Sequence, residues 1–391
     1  MRQTEMEKKR YLLLENGTVF EGRAFGAEGD VTGEVVFTTA MTGYLETLTD
    51  PSYFGQIVIQ TFPLIGNYGV IPEDFESRKS FVKGYIVRDW CQAPSNFRNQ
   101  GDLDTFLQQQ GIPGLYGIDT RALTRAVREK GVMNGRFFSE LPQDLDAAVE
   151  KLKEYRIVEA VESTSTDRRE TVRFLDERPV WSGLHDFSAV PVETDGMAPK
   201  QVVLLDLGAK YNIARELAKH GCDVTVVPCH TTAEEILAMK PDGIMLSNGP
   251  GDPADNPEII EEIGKLRVSG VPVFGICLGH QLLALSAGAR TEKMKYGHRG
   301  ANQPVRRVRD GRVFITSQNH GYCVVSGSLP AYAEESFVNA NDGTCEGVLY
   351  TDHPVFSVQF HPEASGGPHD SEFLFDDFVK LMEEVGVHAV K

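Results

Sequence analysis

Four stretches in the second half of the chain, VVLLDLG (202–208), DVTVVP (223–228), GIMLSNG (243–249) and PVFGICLG (272–279), are nearly continuous apolar runs. A strand with one wet face alternates apolar and polar residues, whereas unbroken runs of this length belong to strands covered on both faces, as in a parallel sheet packed between helices. Helical stretches separate them. In NIARELAKHG (212–221), Ile213 and Leu217 share a face and Gly221 supplies the stop. Such alternation predicts βα units and an open, doubly wound, mostly parallel sheet, whose ligands sit outside the carboxyl ends of the strands. Later strand-like runs, RVFIT, EGVLY and VFSVQF, precede a final helix, SEFLFDDFVKLMEEV (371–385).

The first half reads differently. Short β-like stretches, RYLLLENGTVF and GEVVFTT, are followed by DLDTFLQQQG and TRALTRAVREKG. In these, Leu103, Phe106 and Leu107, then Leu123 and Val127, fall at helical spacing, each series closed by a glycine. The expected organisation is a mixed α/β domain over residues 1–160, a linker over 161–199 rich in charge, proline and glycine, and the parallel-sheet domain over 200–391. With 391 residues, 41% hydrophobic and 24% charged, the chain can bury two cores.

A net charge of −17 argues against nucleic acid as a partner, because a phosphate backbone would be repelled. No apolar run is long enough to span a bilayer, and MRQTEMEKKRYLLLENG offers no signal core, so no membrane association and a cytoplasmic location are expected. The six cysteines include no CxxC pair, which argues against a disulfide scaffold or a zinc knuckle, and no metal site is expected. Cys91, Cys222, Cys229, Cys323 and Cys345 read as small buried apolar residues.

Cys277 is different. The run VPVFGI ends at it and an amphipathic stretch, LGHQLLALSAG, begins at once, so Gly275-Ile-Cys277-Leu-Gly279 is the cysteine counterpart of the G-x-S-x-G nucleophile elbow. The glycines give clearance in a tight strand-to-helix turn that aims its central side chain at the carboxyl edge of the sheet. A helix N-terminus there favours the thiolate and presents backbone N–H groups to an oxyanion. The plain alternative is a cysteine packed behind a turn. A nucleophile needs a base, and VFSVQFHPEAS supplies the best candidate: His361 at a strand end, with Glu363 two residues on to orient its imidazole. His280 lies in the elbow helix, His298 in a polar loop (KYGHRG) and His320 in a turn (QNHGY), and these read as structural or substrate-shaping. SNGPGDP (247–253) follows another strand and is neither a Walker loop nor a dinucleotide fingerprint. Either it is only a tight turn, or Gly249 and Gly251 bring free backbone amides to the pocket as an oxyanion hole. The basic stretch PVRRVRDGRV reads as a solvated hairpin with a DG turn.

Together GICLGHQ, SNGPGDP, QNHGY and FHPE resemble class I (triad) glutamine amidotransferases over about residues 200 to 387. The resemblance implies Cys277 as nucleophile in a γ-glutamyl thioester mechanism, with His361 and Glu363 completing the triad. It implies Leu278 and Gly251 as oxyanion donors, and Gly249, Gln281, Asn319, Gly321 and Tyr322 lining the L-glutamine site. Tyr322 departs from the phenylalanine often found there. In the first half, TGEVVFTTAMTGYLETLTDPSYFGQIV, PLIGNYG and GIDTRALTRAVREKGVMNG resemble the leading domain of carbamoyl-phosphate synthetase small chains, where the serine of DPSY, here Ser52, reaches the glutamine site.

That family implies a heterodimer in which ammonia passes to a large chain, where ATP, bicarbonate and magnesium bind and carbamoyl phosphate is made for pyrimidines and arginine. No cofactor is expected in the present chain, and since it ends at Lys391 without an ATP-grasp-like segment, the synthetase is expected on a separate polypeptide. Three other readings compete: an amidotransferase serving anthranilate, guanylate or cytidylate synthesis, a hydrolase on the same scaffold, and a catalytically dead regulatory scaffold. The leading domain opposes the first, the glutamine-site motifs the second, and the intact triad set the third.

Overall fold

The computed structural model describes residues 8–173 and 198–389, and the chain divides between Val158 and Glu159 into two compact units. The first unit is a closed seven-stranded barrel. Going round it, the strands are Lys9–Leu14, Val19–Gly26, Pro113–Tyr116, Gly84–Ile86, Gln56–Gln60, Thr32–Thr38 and Met133–Phe138. The last pairs antiparallel with the first, Tyr11 opposite Phe138, which closes the ring. Alternation along the strands gives the wall two apolar faces. Leu12, Leu14, Val35, Ile57, Ile59 and Phe137 cluster on one, with Leu123 and Val127 of the helix Thr120–Lys130. Val36, Val58 and Tyr85 cluster on the other, with Leu103 and Phe106 of the helix Leu103–Gln109. Both helices fall where the apolar spacing put them, and Asp119 and Asp102 cap their first turns.

The second unit is built on a ten-stranded sheet. Its middle five strands, Cys222–Pro228, Lys200–Asp206, Gly243–Leu246, Val273–Ile276 and Val355–Val358, run parallel and include all four apolar runs that the sequence marks out. Beyond them the pairing turns antiparallel. Glu170–Val172 adds at one side, and Cys345–Tyr350, Ala333–Asn339, Thr291–Arg307 and Val313–Val324 add at the other. The sheet is therefore parallel at its centre and mixed as a whole. Successive residues of the central strands point to opposite faces, so two cores form. Val202 and Leu204 pack with the helices Tyr211–Lys219 and Phe373–Ala389, while Val203 and Leu205 pack with Ala233–Ala238, Pro257–Arg267 and Leu278–Ser286.

Three sequence expectations need correction. The stretch expected as a linker from residue 161 is partly regular structure: Ala160–Thr164 is a helix, and Glu170–Val172 joins the sheet beside Cys222–Pro228. Residues 174–197 of that expected linker lie outside the described residues. QNHGY is not a turn but the interior of the strand Val313–Val324, and KYGHRG is not a loop but part of Thr291–Arg307. Their polar side chains hide the strand because a hydrogen-bonded network buries them, and register shifts between Lys293 and His298 and between Gly300 and Gln303 break the two-residue period. PVRRVRDGRV does form the expected hairpin, with Gly311 at φ +72°.

The elbow is where backbone space is tightest. A Cβ on Gly279 would stand 2.5 Å from the Leu246 carbonyl oxygen, and one on Gly275 would stand 2.7 Å from Leu283 Cδ1 and 2.9 Å from Gly279 backbone. Backbone cannot step aside as a flexible side chain can. Gly279→Val should therefore lower unfolding stability by roughly 1–3 kcal/mol, the usual cost of overpacking. Urea denaturation measures it, and an unchanged midpoint would show that the turn has more room than these distances give.

Candidate active site

The strand Val273–Ile276 and the helix Leu278–Ser286 meet at Cys277, whose backbone stands at φ 53°, ψ −101°. That is an uncommon conformation for a residue with a side chain, and of the described non-glycine residues only Glu159 and Lys240 share a positive φ. The turn is tied on both sides. Cys277 N–H donates to Val358 O at 2.9 Å and Gly279 N–H donates to Ser247 O at 3.0 Å, binding it to both neighbouring strands. The thiol is 2% exposed, and Sγ lies 3.8 Å from the Asn319 carbonyl oxygen.

His361 follows the adjacent parallel strand, and its N–H donates to Ser317 O at 2.9 Å. Its Nδ1 lies 2.8 Å from Glu363 Oε1, and both side chains are buried. Burial and the Lys210 ammonium oppose a charged imidazole, but the Glu363 carboxylate and the Cys277 sulfur outweigh them and raise His361 to about 9. Burial likewise opposes the Glu363 carboxylate, yet His361 and Lys210 pull it down to about 2. Both shifts favour an imidazolium–carboxylate pair, and the Cys277 sulfur adds to the rise of His361.

Lys210 was not found from the sequence. Its Nζ lies 3.5 Å from Glu363 Oε1, both side chains nearly closed off from solvent. The loop that carries it is held from below. Asp206 Oδ1 accepts N–H bonds from Gly208 and Ala209 at 2.9 and 2.7 Å, and its Oδ2 accepts from Thr166 at 2.7 Å. Asn248 links this loop to SNGPGDP: its Oδ1 accepts from Lys210 N–H at 3.0 Å, and its Nδ2 donates to Gly208 O at 3.1 Å. The available signal was positional, since both loops leave the carboxyl ends of neighbouring parallel strands. Asn212 adds a bond from its Nδ2 to the Glu363 carbonyl.

The remaining sequence candidates divide by unit. Gly249 is backed against Leu207 O, which a Cβ would meet at 2.1 Å, and Gly251 stands at φ +90°. Leu278 begins the elbow helix. Gln281 Nε2 donates to Tyr322 O and to Gln359 Oε1, both at 2.9 Å, tying the helix to the strand that holds Asn319, Gly321 and Tyr322. Ser52 belongs to the first unit. It is buried in the 3-10 turn Pro51–Tyr53, and its N–H donates to Asp50 Oδ1. Of the other histidines, His280 is fully buried, hydrogen-bonded to Ser357 Oγ at 2.8 Å and pushed by burial to about 3. It stays neutral. His298, His320 and Glu346 each bring a donor atom within 4.8 Å of the other two, but all three are already engaged in hydrogen bonds.

Lys210→Met removes a positive charge that works against the His361 imidazolium, so the His361 titration should move upward from about 9. Imidazole NMR of the purified chain follows it, and a downward move would mean that the ammonium acts on His361 through geometry rather than charge.

Comparison with known proteins identifies the family. Residues 203–381 match the family described as glutamine amidotransferase class-I, and residues 12–137 match that described as carbamoyl-phosphate synthase small chain, CPSase domain. The carbamoyl phosphate synthase small chain of Fusobacterium nucleatum is 50% identical over 375 residues, 96% of this chain and 98% of the relative. The pyrimidine-specific small chain of Bacillus subtilis is 51% identical over 375 residues, 96% of each chain.

Proposed function

Since the chain belongs to the carbamoyl-phosphate synthase small chain family and is a glutamine-hydrolysing amidotransferase, we propose that Cys277, His361 and Glu363 are its catalytic triad. The observation that carries this is the 2.8 Å contact of His361 with Glu363, beside a cysteine held in a strained strand-to-helix turn.

In the proposed reaction the Cys277 thiolate attacks the side-chain carbonyl carbon of L-glutamine, and the carbonyl oxygen takes up the electron pair as an oxyanion. The backbone N–H groups of Leu278 and Gly251 stabilise that charge. As the tetrahedral intermediate collapses, His361 gives its proton to the departing amine, ammonia leaves, and a γ-glutamyl thioester remains on Cys277. Water, deprotonated by His361, then attacks the thioester, releasing glutamate and restoring the thiolate. Glu363 keeps the imidazole oriented and supports its positive charge, while Lys210 balances the second negative charge of the site. Gly249, Gln281, Asn319, Gly321 and Tyr322 form the wall against which glutamine lies.

Ammonia is then handed to a separate large chain, which binds ATP, magnesium and bicarbonate and makes carbamoyl phosphate. Support for the handover is the family itself, whose names describe a small chain, and the relative named as pyrimidine-specific suggests pyrimidine synthesis as one destination. Arginine synthesis is the other. No helix among the described residues is long and apolar enough to cross a membrane, in keeping with a cytoplasmic enzyme.

Cys277→Ser should lower glutamine-dependent carbamoyl phosphate formation on the order of 10³-fold or more, the scale seen when a nucleophile is removed. Formation from free ammonia in the assembled complex should stay within about twofold of the unchanged protein, since the proposal puts that step on the other chain. Parallel assays with glutamine and with ammonium chloride make the test. Loss of both activities in a complex that still assembles would show that the two steps are not on separate sites.

A further inference from the structure

Behind the strand segment Asn319–Tyr322 lies a closed chain of polar groups that the reaction does not use. His320 Nδ1 sits 2.8 Å from Tyr322 O, and a carbonyl can only accept, so Nδ1 carries the hydrogen. The other ring nitrogen, Nε2, sits 3.1 Å from Gln318 Oε1, which also can only accept. The Gln318 nitrogen meanwhile points at Glu346 Oε2, 2.9 Å away, and at Thr316 Oγ1, 3.2 Å away. At the far end, Asn339 Oδ1 accepts from Asn341 N–H, which fixes its amide so that Nδ2 donates to Glu346 Oε1 at 3.1 Å.

A neutral His320 with an ionised Glu346 cannot satisfy this chain, because two acceptors would face each other whichever way the Gln318 amide is turned. One more proton is required. Either it sits on His320 Nε2 and is donated to Gln318 Oε1, or it sits on Glu346 Oε2. In the second case the Gln318 amide is turned over, so that its oxygen accepts from the acid and its nitrogen donates to His320. Thr316, whose hydroxyl donates to Gln303 O at 2.9 Å, then loses only a long contact.

The surroundings choose between these. Glu346 is fully buried on the strand Cys345–Tyr350, and burial pushes its carboxyl up against the partial opposition of His298, Asn339 and Gln318. Burial drives His320 well down, and the charges of His298, Arg299 and His361 push the same way. His298 faces Glu346 at 3.3 Å from the strand Thr291–Arg307 and is held on its other side by Asp342 at 2.8 Å. The remaining titratable neighbours are the thiols of Cys323 and Cys345, both raised by burial and so uncharged.

We propose that Glu346 is a positioning residue for the glutamine site and acts as the protonated acid. Its hydroxyl orients Gln318, which holds a neutral His320 against the Tyr322 carbonyl and thereby fixes the segment Asn319–Tyr322. This rests on the reading above that the segment lines the glutamine site. When the proton is lost to solvent, Gln318 Oε1 and the His320 lone pair oppose each other and the segment loosens. Ionisation as pH rises therefore weakens glutamine binding, and a neutral donor at position 346 removes that dependence.

The experiment compares the full chain with Glu346→Gln and Glu346→Ala. Infrared spectra at neutral pH should contain the carbonyl stretch of a protonated carboxylic acid that Glu346→Gln lacks. Glu346→Gln, which can still donate to Gln318, should keep KM for glutamine within about twofold and lose the alkaline rise in KM, while Glu346→Ala should raise KM roughly tenfold with kcat little changed. Absence of the acid band, or a KM in Glu346→Gln as high as in Glu346→Ala, would overturn the proposal, as would an unaltered KM in Glu346→Ala. Stoichiometric metal in the purified chain that Glu346→Gln loses would overturn it too, by showing that a cation bridges these donors. Should Glu346→Ala not fold, the infrared band and the Glu346→Gln pH profile still decide. If the segment did not line the glutamine site, the KM effects would vanish while the acid band remained, whereas a missing band overturns the protonated acid itself, so the two failures are distinguishable.

Discussion

Cys277 stands in a backbone conformation that costs an ordinary residue roughly 1–3 kcal/mol, and such strain persists only where the surroundings over-determine it. Here they do so from three directions. The strand before the cysteine is hydrogen-bonded on both sides within the parallel centre of the sheet. The glycines two residues before and after it, Gly275 and Gly279, have no room for a Cβ. The N–H groups of Cys277 and Gly279 are taken by Val358 O and Ser247 O, at the ends of the two neighbouring strands. The parallel order of the central strands, the two glycines and the positions of SNGPGDP and FHPE then belong to one arrangement, because each supplies part of the frame that keeps this one residue where a relaxed chain would not put it.

Charge is distributed around the thiol with similar economy. Glu363 is fully buried and would be a poor carboxylate alone, but an imidazolium and an ammonium both face it. Lys210 depends in turn on Asp206 and Asn248, so the loops after two neighbouring parallel strands are coupled through backbone amides, and the Lys210 ammonium joins them to Glu363 beyond a third. Removing one partner from such a set leaves another buried charge exposed to the full cost of desolvation. The three loops therefore act as one unit.

What could be read from the chain alone follows a physical line. Apolar runs buried on both faces, the glycines of the elbow, and helices such as Thr120–Lys130 and Leu103–Gln109 announce themselves because local pattern and burial agree. Barrel closure does not, since it pairs Tyr11 with Phe138 and no local pattern encodes so distant a partner. The strands holding His298 and His320 were hidden for the opposite reason: their side chains are polar and buried, so hydrophobic periodicity reads them as loop and turn. That Cys277, His361 and Glu363 come together could be expected because each sits in a short motif at a strand end. The place of Lys210 could not, because what brings it to Glu363 is the neighbouring of two strands far apart in sequence.

The strands Val273–Ile276 and Val355–Val358 are immediate neighbours, with Ile276 opposite Val358, and Phe274 stacks on Phe356 with ring centroids 4.3 Å apart. Phe378 of the last helix packs against both rings, at 5.8 and 6.4 Å. Cys277 and His361 thus rise from a single footing, as two instruments bolted to the same bench. Vibration or slow flexing of the sheet carries both together, so their separation is shielded from motions that displace the footing as a whole. What can part them is a change in the short turns above it, or the loss of the sheet itself.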